Sequence, residues 1–164
     1  MKTLWAPWRM HYLEEPAPTG CFFCAALATD DDRGHLVLVR EPDALVLLNK
    51  YPYGHGHLLV APRRHVARPE DLADREYDAL MRAMRRGAVA LGAAFTPEGM
   101  NVGMNLGVAA GAGIADHLHW HVVQRWIGDT NFMTSVAETR VMPQHLRETY
   151  DALRPAFTWL DRAA

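Results

Sequence analysis

The 164-residue sequence has only two cysteines, and it has no apolar run near the length of a membrane-spanning helix. Crossing a bilayer takes about 20 consecutive apolar residues. The first residues, Met1 to Tyr12, are interrupted by Pro7 and by charged side chains, which is unlike a secretory signal peptide. These absences predict a protein with no membrane segment and a cytoplasmic location.

An excess of charge of one sign is also lacking. Seventeen Lys and Arg residues stand against nineteen Asp and Glu residues, and the formal net charge is -2 at pH 7. Binding to a nucleic-acid polymer or to a membrane surface calls for a basic patch. We therefore expect neither as a partner. The hydrophobic share of 49% favours one domain, residues 1–164, with a sizeable core.

Five hydrophobic or alternating runs predict β-strands. Leucine and β-branched residues dominate 36–39, 44–48 and 57–60, while polar and apolar residues alternate over 101–106 and 117–125. The first runs are separated by short polar turns, which favours antiparallel neighbours. We therefore predict an antiparallel sheet of about five strands.

Two segments have helical spacing. Apolar side chains recur at steps of three, four and seven over about 71–95, which is typical of a long amphipathic helix on a sheet face. A C-terminal helix is predicted over about 143–161, with Pro143 in its first turn and Pro155 expected to end or kink it. Sheet and helices together predict an α+β fold. Residues 1–20 are predicted to form an N-terminal arm whose aromatic side chains pack on the body or on a partner subunit.

The most informative segment is a row of three alternating histidines, His117, His119 and His121. Successive side chains of a strand point to opposite faces, so the imidazoles would line one face at a spacing of about 6.5 to 7 Å. The apolar residues between them would enter the core. A row of imidazoles at neutral pH can supply a nucleophile, a proton donor and a metal ligand. The strict alternation therefore favours a functional site over isolated core or surface histidines.

A glycine-rich stretch at 107–113 precedes the histidine row. Its small residues allow the backbone to approach a ligand closely and to present N–H groups to an anion. Plain turns use the same residues, but the position directly ahead of the histidines indicates a phosphate held against a nucleophile.

The stretch from Asn105 through the glycines to His117-Leu118-His119-Trp120-His121-Val122-Val123 resembles the signature of the histidine triad (HIT) superfamily. The likeness covers most of the chain and includes Cys21 to Cys24, Leu48 to Lys50 and Gly56 to Pro62. The N-terminal arm and the segment from Arg125 to Met133 are similar to bacterial HIT proteins that include diadenosine tetraphosphate phosphorylases. This resemblance implies a HIT-like fold. It also implies an enzyme that cleaves a phosphoanhydride of a (di)nucleoside polyphosphate through a nucleotidyl-histidine intermediate.

The resemblance also implies roles for single residues. His119, the middle histidine, is expected to be the nucleophile that attacks the α-phosphorus. His121 would contact phosphate oxygens or tune the nucleophile, and His57 would help to hold the array. The expected nucleotide-binding residues are Asn49 at the ribose hydroxyls, Asn105 near the ribose and phosphate, His121, and the loop residues Gly111, Ala112 and Gly113. The expected substrate is an adenine nucleotide, and because relatives form homodimers we expect a homodimer or a higher oligomer.

Two positions depart from the family pattern. Gly113 stands where several relatives carry a Ser or Gln that donates to the leaving or bridging oxygen, so that assistance is either missing or comes from another residue. Gln124 stands where many relatives have proline. We expect this change to matter little to the chemistry because Gln124 lies beyond the last histidine. The third motif position is His121 rather than glutamine, which weighs against the hexose-1-phosphate uridylyltransferase branch.

Cys21 and Cys24 have the Cys-x-x-Cys spacing of a metal or redox site. Two such thiolates can bind one tetrahedral Zn²⁺, and histidines would have to complete the four ligands because the chain has no other cysteine. Zinc-bearing relatives use histidines that correspond to His117 and His65. The resemblance thus implies a structural zinc site that clamps the N-terminal segment to the catalytic strand. A thioredoxin-like redox pair and buried, inert thiols are the alternatives.

Three other functions are open on the residues alone. One is hydrolysis of a nucleoside phosphoramidate or another nucleotidyl conjugate. The second is a nucleotide-binding regulatory protein that keeps the fold without catalysis, although the complete histidine row weighs against it. The third is a catalytic metal held by all three triad histidines, which their spacing permits.

Overall fold

The structure, a computed structural model, describes residues 20–129 and 144–162. The elements follow in the order α1 (Phe22–Leu27), β1 (Val37–Arg40), β2 (Ala44–Leu48), β3 (Leu58–Pro62), α2 (Asp74–Phe95), β4 (Gly99–Met104), β5 (Trp120–Arg125) and α3 (Leu146–Arg162). Within these ranges no helix is long and apolar enough to cross a membrane. The predicted N-terminal arm and Pro143 lie outside the described residues.

The five strands form one antiparallel sheet in the order β1-β2-β3-β5-β4. β5 is the last strand among the described residues but lies between β3 and β4. The sheet, the long helix α2 and the C-terminal helix α3 confirm the predicted α+β fold. This topology places the end of the histidine row beside β3, whose first residue directly follows His57.

Both faces of the sheet are buried at β2, which explains why this strand shows no alternation of polar and apolar residues. Val46 and Leu48 belong to the larger core cluster, which packs against α2 and α3. Leu45 and Leu47 belong to a smaller cluster on the opposite face, together with Phe23 of α1. All five residues of β2 are buried. The helix α1 is thereby fixed on the sheet face opposite α2.

The strand predicted over 117–125 pairs with its neighbours only from Trp120 onward. Two residues before that point the chain is held differently, because the Leu118 N–H donates to the Val66 carbonyl at 2.6 Å. Leu118, Trp120 and Val122 nevertheless alternate into the core and are 4% exposed or less. The first two histidines of the row therefore lie at the entrance to β5 rather than inside the paired strand.

The C-terminal helix continues through its proline. Pro155 lies inside α3, which runs to Arg162. A proline removes the hydrogen bond to the carbonyl four residues earlier. That carbonyl belongs to Asp151, which is exposed and can be solvated. Pro155 therefore does not end the helix.

Candidate functional site

The three histidines of the row separate into two neighbouring groups. The His117 ring turns toward Cys21, with Nδ1 3.1 Å from the sulfur. His119 and His121 stay together, with ring centroids 4.9 Å apart. His57 joins this second group, because its ring centroid lies 5.1 Å from that of His121. The row thus supplies a cysteine-histidine cluster and, next to it, a cluster of three imidazoles.

The tautomer of His119 follows from one hydrogen bond. Its Nδ1 lies 2.9 Å from the carbonyl oxygen of His117, which can only accept, so Nδ1 carries the proton. The lone pair is therefore on Nε2. Burial lowers the pKa of His119 below its ordinary value, which keeps the ring neutral at neutral pH. A neutral imidazole with an unprotonated Nε2 is the form that can attack an electrophile.

His57 and His121 form a hydrogen-bonded relay. The His57 Nδ1 accepts the backbone N–H of Tyr53 at 3.1 Å, so the His57 proton is on Nε2. That Nε2–H donates to the His121 Nδ1 at 2.9 Å. His121 is then protonated on Nε2, a buried atom with no hydrogen-bond partner among the described residues. An unpaired N–H beside the His119 ring is suited to donate to a phosphate oxygen.

The electrostatics of the site favour neutral rings. Burial, together with the neighbouring His121 and His119, lowers the pKa of His57 to about 3. Burial and the nearby His119 lower the pKa of His121 to about 4. Both rings therefore keep the single-proton tautomers deduced from their hydrogen bonds across the physiological pH range.

Asn49, predicted to contact a ribose, lies at the end of β2 and is half-buried. Its Oδ1 accepts the Tyr51 N–H at 2.9 Å, and its Nδ2 lies 3.3 Å from the His57 Nδ1. The first contact orients the amide, so that Nδ2 donates to the histidine. Asn49 thus supports the tautomer of His57, and its role toward a ribose stays a prediction.

The glycine-rich loop leads from β4 to the histidines. Gly107 and Gly111 have φ values of +79° and +85°, which glycine adopts without strain. The Gly111 N–H donates to the Val108 carbonyl at 2.9 Å, and the Ala112 N–H to the Gly107 carbonyl at 3.3 Å. Asn105 is half-buried and Gly113 exposed. The nucleotide-binding roles of Asn105, Gly111, Ala112 and Gly113 stay predictions.

The second cluster contains the four predicted metal ligands, Cys21, Cys24, His65 and His117. Their ligand atoms all lie within 4.8 Å of one another. The Cys21 sulfur is 3.1 Å from the His117 Nδ1, and the Cys24 sulfur is 3.2 Å from the His65 Nδ1 and 3.7 Å from the His117 Nδ1. Thiolate and imidazole ligands of a tetrahedral Zn²⁺ are separated by about 3.5 Å. Two thiolates and two imidazoles at these separations fit zinc.

The outer atoms of both imidazoles have partners that suit metal ligands. The His117 Nε2 donates to the Pro62 carbonyl at 2.9 Å, which leaves Nδ1 unprotonated and facing the sulfurs. The His65 Nε2 lies 3.5 Å from an Asp116 carboxylate oxygen. Such partners orient metal-bound histidines and fix their tautomers. His117 therefore faces the cysteines rather than His119 and His121, which argues against a catalytic metal held by all three.

Two contributors to this site are not apparent from the sequence. The Tyr53 ring stacks over the His121 ring at 5.7 Å between centroids, in addition to the backbone contact with His57. Phe23 contacts the rings of both His117 and His119, at 4.8 and 5.1 Å. Tyr53 belongs to no motif, and Phe23 lies between the two cysteines, where the spacing draws attention to the thiols alone. The packing of the loop and of α1 on the sheet brings both rings to the histidines.

Comparison with known proteins agrees with this geometry. The family model described as HIT domain matches residues 33–126, which include the sheet and the complete histidine row. The chain belongs to the HIT family. It is 40% identical over 158 residues to a Mycobacterium tuberculosis protein named AP-4-A phosphorylase, covering 91% of this chain and 80% of that protein.

Two further matches bear on the site. A Schizosaccharomyces pombe protein named adenosine 5'-monophosphoramidase is 28% identical over 108 residues, covering 64% of this chain and 74% of its own. The crystal structure of a zinc-bound histidine triad family protein from Mycobacterium smegmatis superposes with a TM-score of 0.69 at 28% identity. The superposition covers 88% of this chain and 98% of the Mycobacterium smegmatis chain. The chain is thus similar to nucleotide-processing HIT proteins and to a HIT protein that contains zinc.

Proposed function

We propose that this HIT-family enzyme, a nucleotidyl hydrolase or transferase, cleaves a dinucleoside polyphosphate such as diadenosine tetraphosphate through a nucleotidyl-His119 intermediate. The observation that carries the proposal is the state of two neighbouring rings. His119 has an unprotonated Nε2, and His121 has a protonated Nε2 without a hydrogen-bond partner among the described residues. One atom can attack phosphorus, and the other can donate to an oxygen on it. The similarity to the AP-4-A phosphorylase supports the choice of substrate.

The reaction proceeds in two displacements at the α-phosphorus. The His119 Nε2 lone pair forms an N–P bond while the bond from phosphorus to the bridging oxygen breaks, and the remaining nucleotide leaves with the electron pair. The His117 carbonyl, which accepts the Nδ1–H, stabilises the positive charge that develops on the ring. Water or inorganic phosphate then attacks the same phosphorus and releases His119. The His121 Nε2–H offsets charge on a non-bridging oxygen in both steps.

Product analysis tests this proposal and identifies the acceptor. The protein is incubated with diadenosine tetraphosphate, with and without inorganic phosphate, and the nucleotides are identified by mass. A phosphorylase will release ADP and ATP only when phosphate is present, because phosphate takes the adenylyl group. AMP and ATP without phosphate would show that water is the acceptor. Cleavage of adenosine 5'-phosphoramidate in preference to the dinucleotide would replace the proposal with the phosphoramidate alternative.

A zinc ion bound by Cys21, Cys24, His65 and His117 is part of the proposal. When bound, it would act as a structural clamp between α1 and the entrance to β5. His117 would then connect the two clusters, since its ring is a ligand and its carbonyl holds His119. Thiolates that bind zinc must stay reduced, which fits the cytoplasmic location that we also propose.

We also propose a homodimer that forms through β4, the edge strand next to β5. Within the described residues β4 pairs on one side only, and most of its residues are exposed. Val102 on this strand is 48% exposed, and Leu106 and Val108 just after it are 46% and 79% exposed. An unpaired edge with apolar side chains is a template for pairing with another chain, here a second copy.

Val102→Asp will weaken the dimer at least about tenfold, because a buried, unpaired carboxylate costs well over 1 kcal/mol. Light scattering after size exclusion, over a range of protein concentrations, measures the dimer fraction. The control is Ala152→Asp on the exposed face of α3, which packs near β1 at the opposite edge of the sheet. Equal dissociation of both variants, or of neither, would contradict pairing through β4.

A further inference from the structure

Gln124 is a buried amide on a strand face that is otherwise apolar. Its side chain is 2% exposed and follows Trp120 and Val122 on the core face of β5. Burying an amide costs free energy unless its polar atoms are hydrogen-bonded. In the sequence, its position beyond the last histidine gives no reason to connect it with the chemistry. The contacts of its side chain in the structure do give such a reason.

The amide of Gln124 contacts the loop that joins β2 to β3. Its Nε2 donates to the carbonyl oxygen of His55 at 3.2 Å. The next residue, Gly56, has a φ of +65°, and a Cβ there would lie 2.0 Å from the same Nε2. This φ favours glycine, and any larger residue would push the Gln124 amide away from the loop. The loop backbone therefore lies directly against the Gln124 amide.

This loop also sets the proton positions of the histidine relay. His57 directly follows Gly56, and its Nδ1 is held by the Tyr53 N–H from the middle of the same loop. Loss of that contact would leave only the Asn49 Nδ2, 3.3 Å away, to hold the Nδ1 lone pair, and a fraction of the molecules would then carry the proton on Nδ1. In that fraction His57 no longer donates to His121 from Nε2, and the outward N–H of His121 is no longer specified.

We infer that Gln124 is a positioning residue that keeps the His57–His121 relay in the tautomers needed for contact with a phosphate oxygen. The inference rests on the proposed function. Gln124 acts through the backbone of residues 55–57, from the core face of β5, whereas His121 lies on the other face. The Gln124 Oε1 is buried without a hydrogen-bond partner among the described residues. Stability alone does not explain an amide that is only half paired.

The main test is Gln124→Met, which keeps the volume and removes the donor. The ring nitrogens of the histidines are observed by ¹⁵N NMR in the free, full-length protein. In the unsubstituted protein we expect His57 and His121 to be protonated on Nε2 alone. In Gln124→Met we expect a second tautomer for both rings. We also expect kcat with the dinucleotide to fall by roughly tenfold or more, with a smaller change in KM, because orientation rather than binding is lost.

A matched core variant separates positioning from general destabilisation. Val39→Ala removes buried methyl groups from β1, the strand at the edge opposite β4. It should lower the melting temperature and leave the ring signals of His57 and His121 unchanged. Gln124→Asn, which retains an amide but is one methylene too short to reach His55, is measured in the same way. It provides the comparison if Gln124→Met does not fold.

The inference is overturned if the Gln124 variants that fold keep the original tautomers and kcat. It is also overturned if Val39→Ala produces the same second tautomer of His57 and His121 as the Gln124 variants. The spectra are recorded without substrate, so failure of the proposed function can be distinguished from failure of this inference. A protein that turns over no nucleotide would refute the enzyme assignment, while the ring signals would still show whether Gln124 sets the relay.

Discussion

His119→Ala will lower nucleotide turnover at least about a thousandfold while nucleotide binding survives. The substitution removes the Nε2 lone pair, which is the attacking atom, but leaves the His57–His121 relay and the loop in place. The rate is measured from product release with diadenosine tetraphosphate. Binding is measured by calorimetry with a non-hydrolysable analogue. A nucleotidyl group on the protein, stable to base and labile to acid, should be trapped from the unsubstituted enzyme and be absent from the variant.

His35→Ala provides the matched control, because His35 lies ahead of β1 and belongs to neither histidine cluster. Its turnover and its trapped intermediate should equal those of the unsubstituted enzyme. Turnover by His119→Ala within tenfold of normal would refute His119 as the nucleophile. Loss of activity with a chelator, without any trapped phosphohistidine, would favour the catalytic-metal alternative instead. If the protein only binds nucleotides, the unsubstituted protein will show no turnover, and no variant will change that result.

The sequence predicted the backbone of the site better than the directions of its rings. Alternation around His119 identified the core-facing residues, because it depends only on the two-residue repeat of a strand. The ring of His117 turns out of the row because it contacts Cys21, which is 96 residues away in the chain. No local pattern specifies a contact between residues so far apart. The four ligands were named through family resemblance, and the structure brings their ligand atoms together.

Element boundaries differed where tertiary contacts decide them. The paired part of β5 begins at Trp120 because the residues ahead of it are bonded to the turn after β3. Pro155 lies within α3, where Asp151, the residue whose carbonyl loses its helical partner, is exposed. Proton positions could not be predicted either, since the tautomer of His57 depends on a backbone N–H from Tyr53. Backbone donors are common to nearly every residue type, and their targets become known only from the folded chain.

Replacing Cys21 and Cys24 together with Ser will abolish zinc binding and lower the melting temperature by roughly 10 °C. A structural zinc contributes directly to folding, and loss of about 3 to 5 kcal/mol corresponds to such a change for a chain of this size. The apolar contacts of Phe23 with the sheet remain, so the fold should persist. Elemental analysis of the purified protein should give one zinc per chain before the substitution and none after it. Calorimetry gives the melting temperature.

The same variants discriminate between the three interpretations of the cysteine pair. Chelator-treated, unsubstituted protein should melt near the Ser variant, because neither holds zinc, and it alone should recover on addition of Zn²⁺. Inert thiols predict no zinc and a change of less than about 1 kcal/mol, since Ser is nearly isosteric with Cys. A redox pair predicts no zinc and a melting temperature that responds to oxidant and reductant. Because the carbonyl of His117 also orients His119, zinc loss should lower kcat as well. A zinc-free protein with normal stability and normal kcat would therefore contradict both the clamp and its connection to the nucleophile.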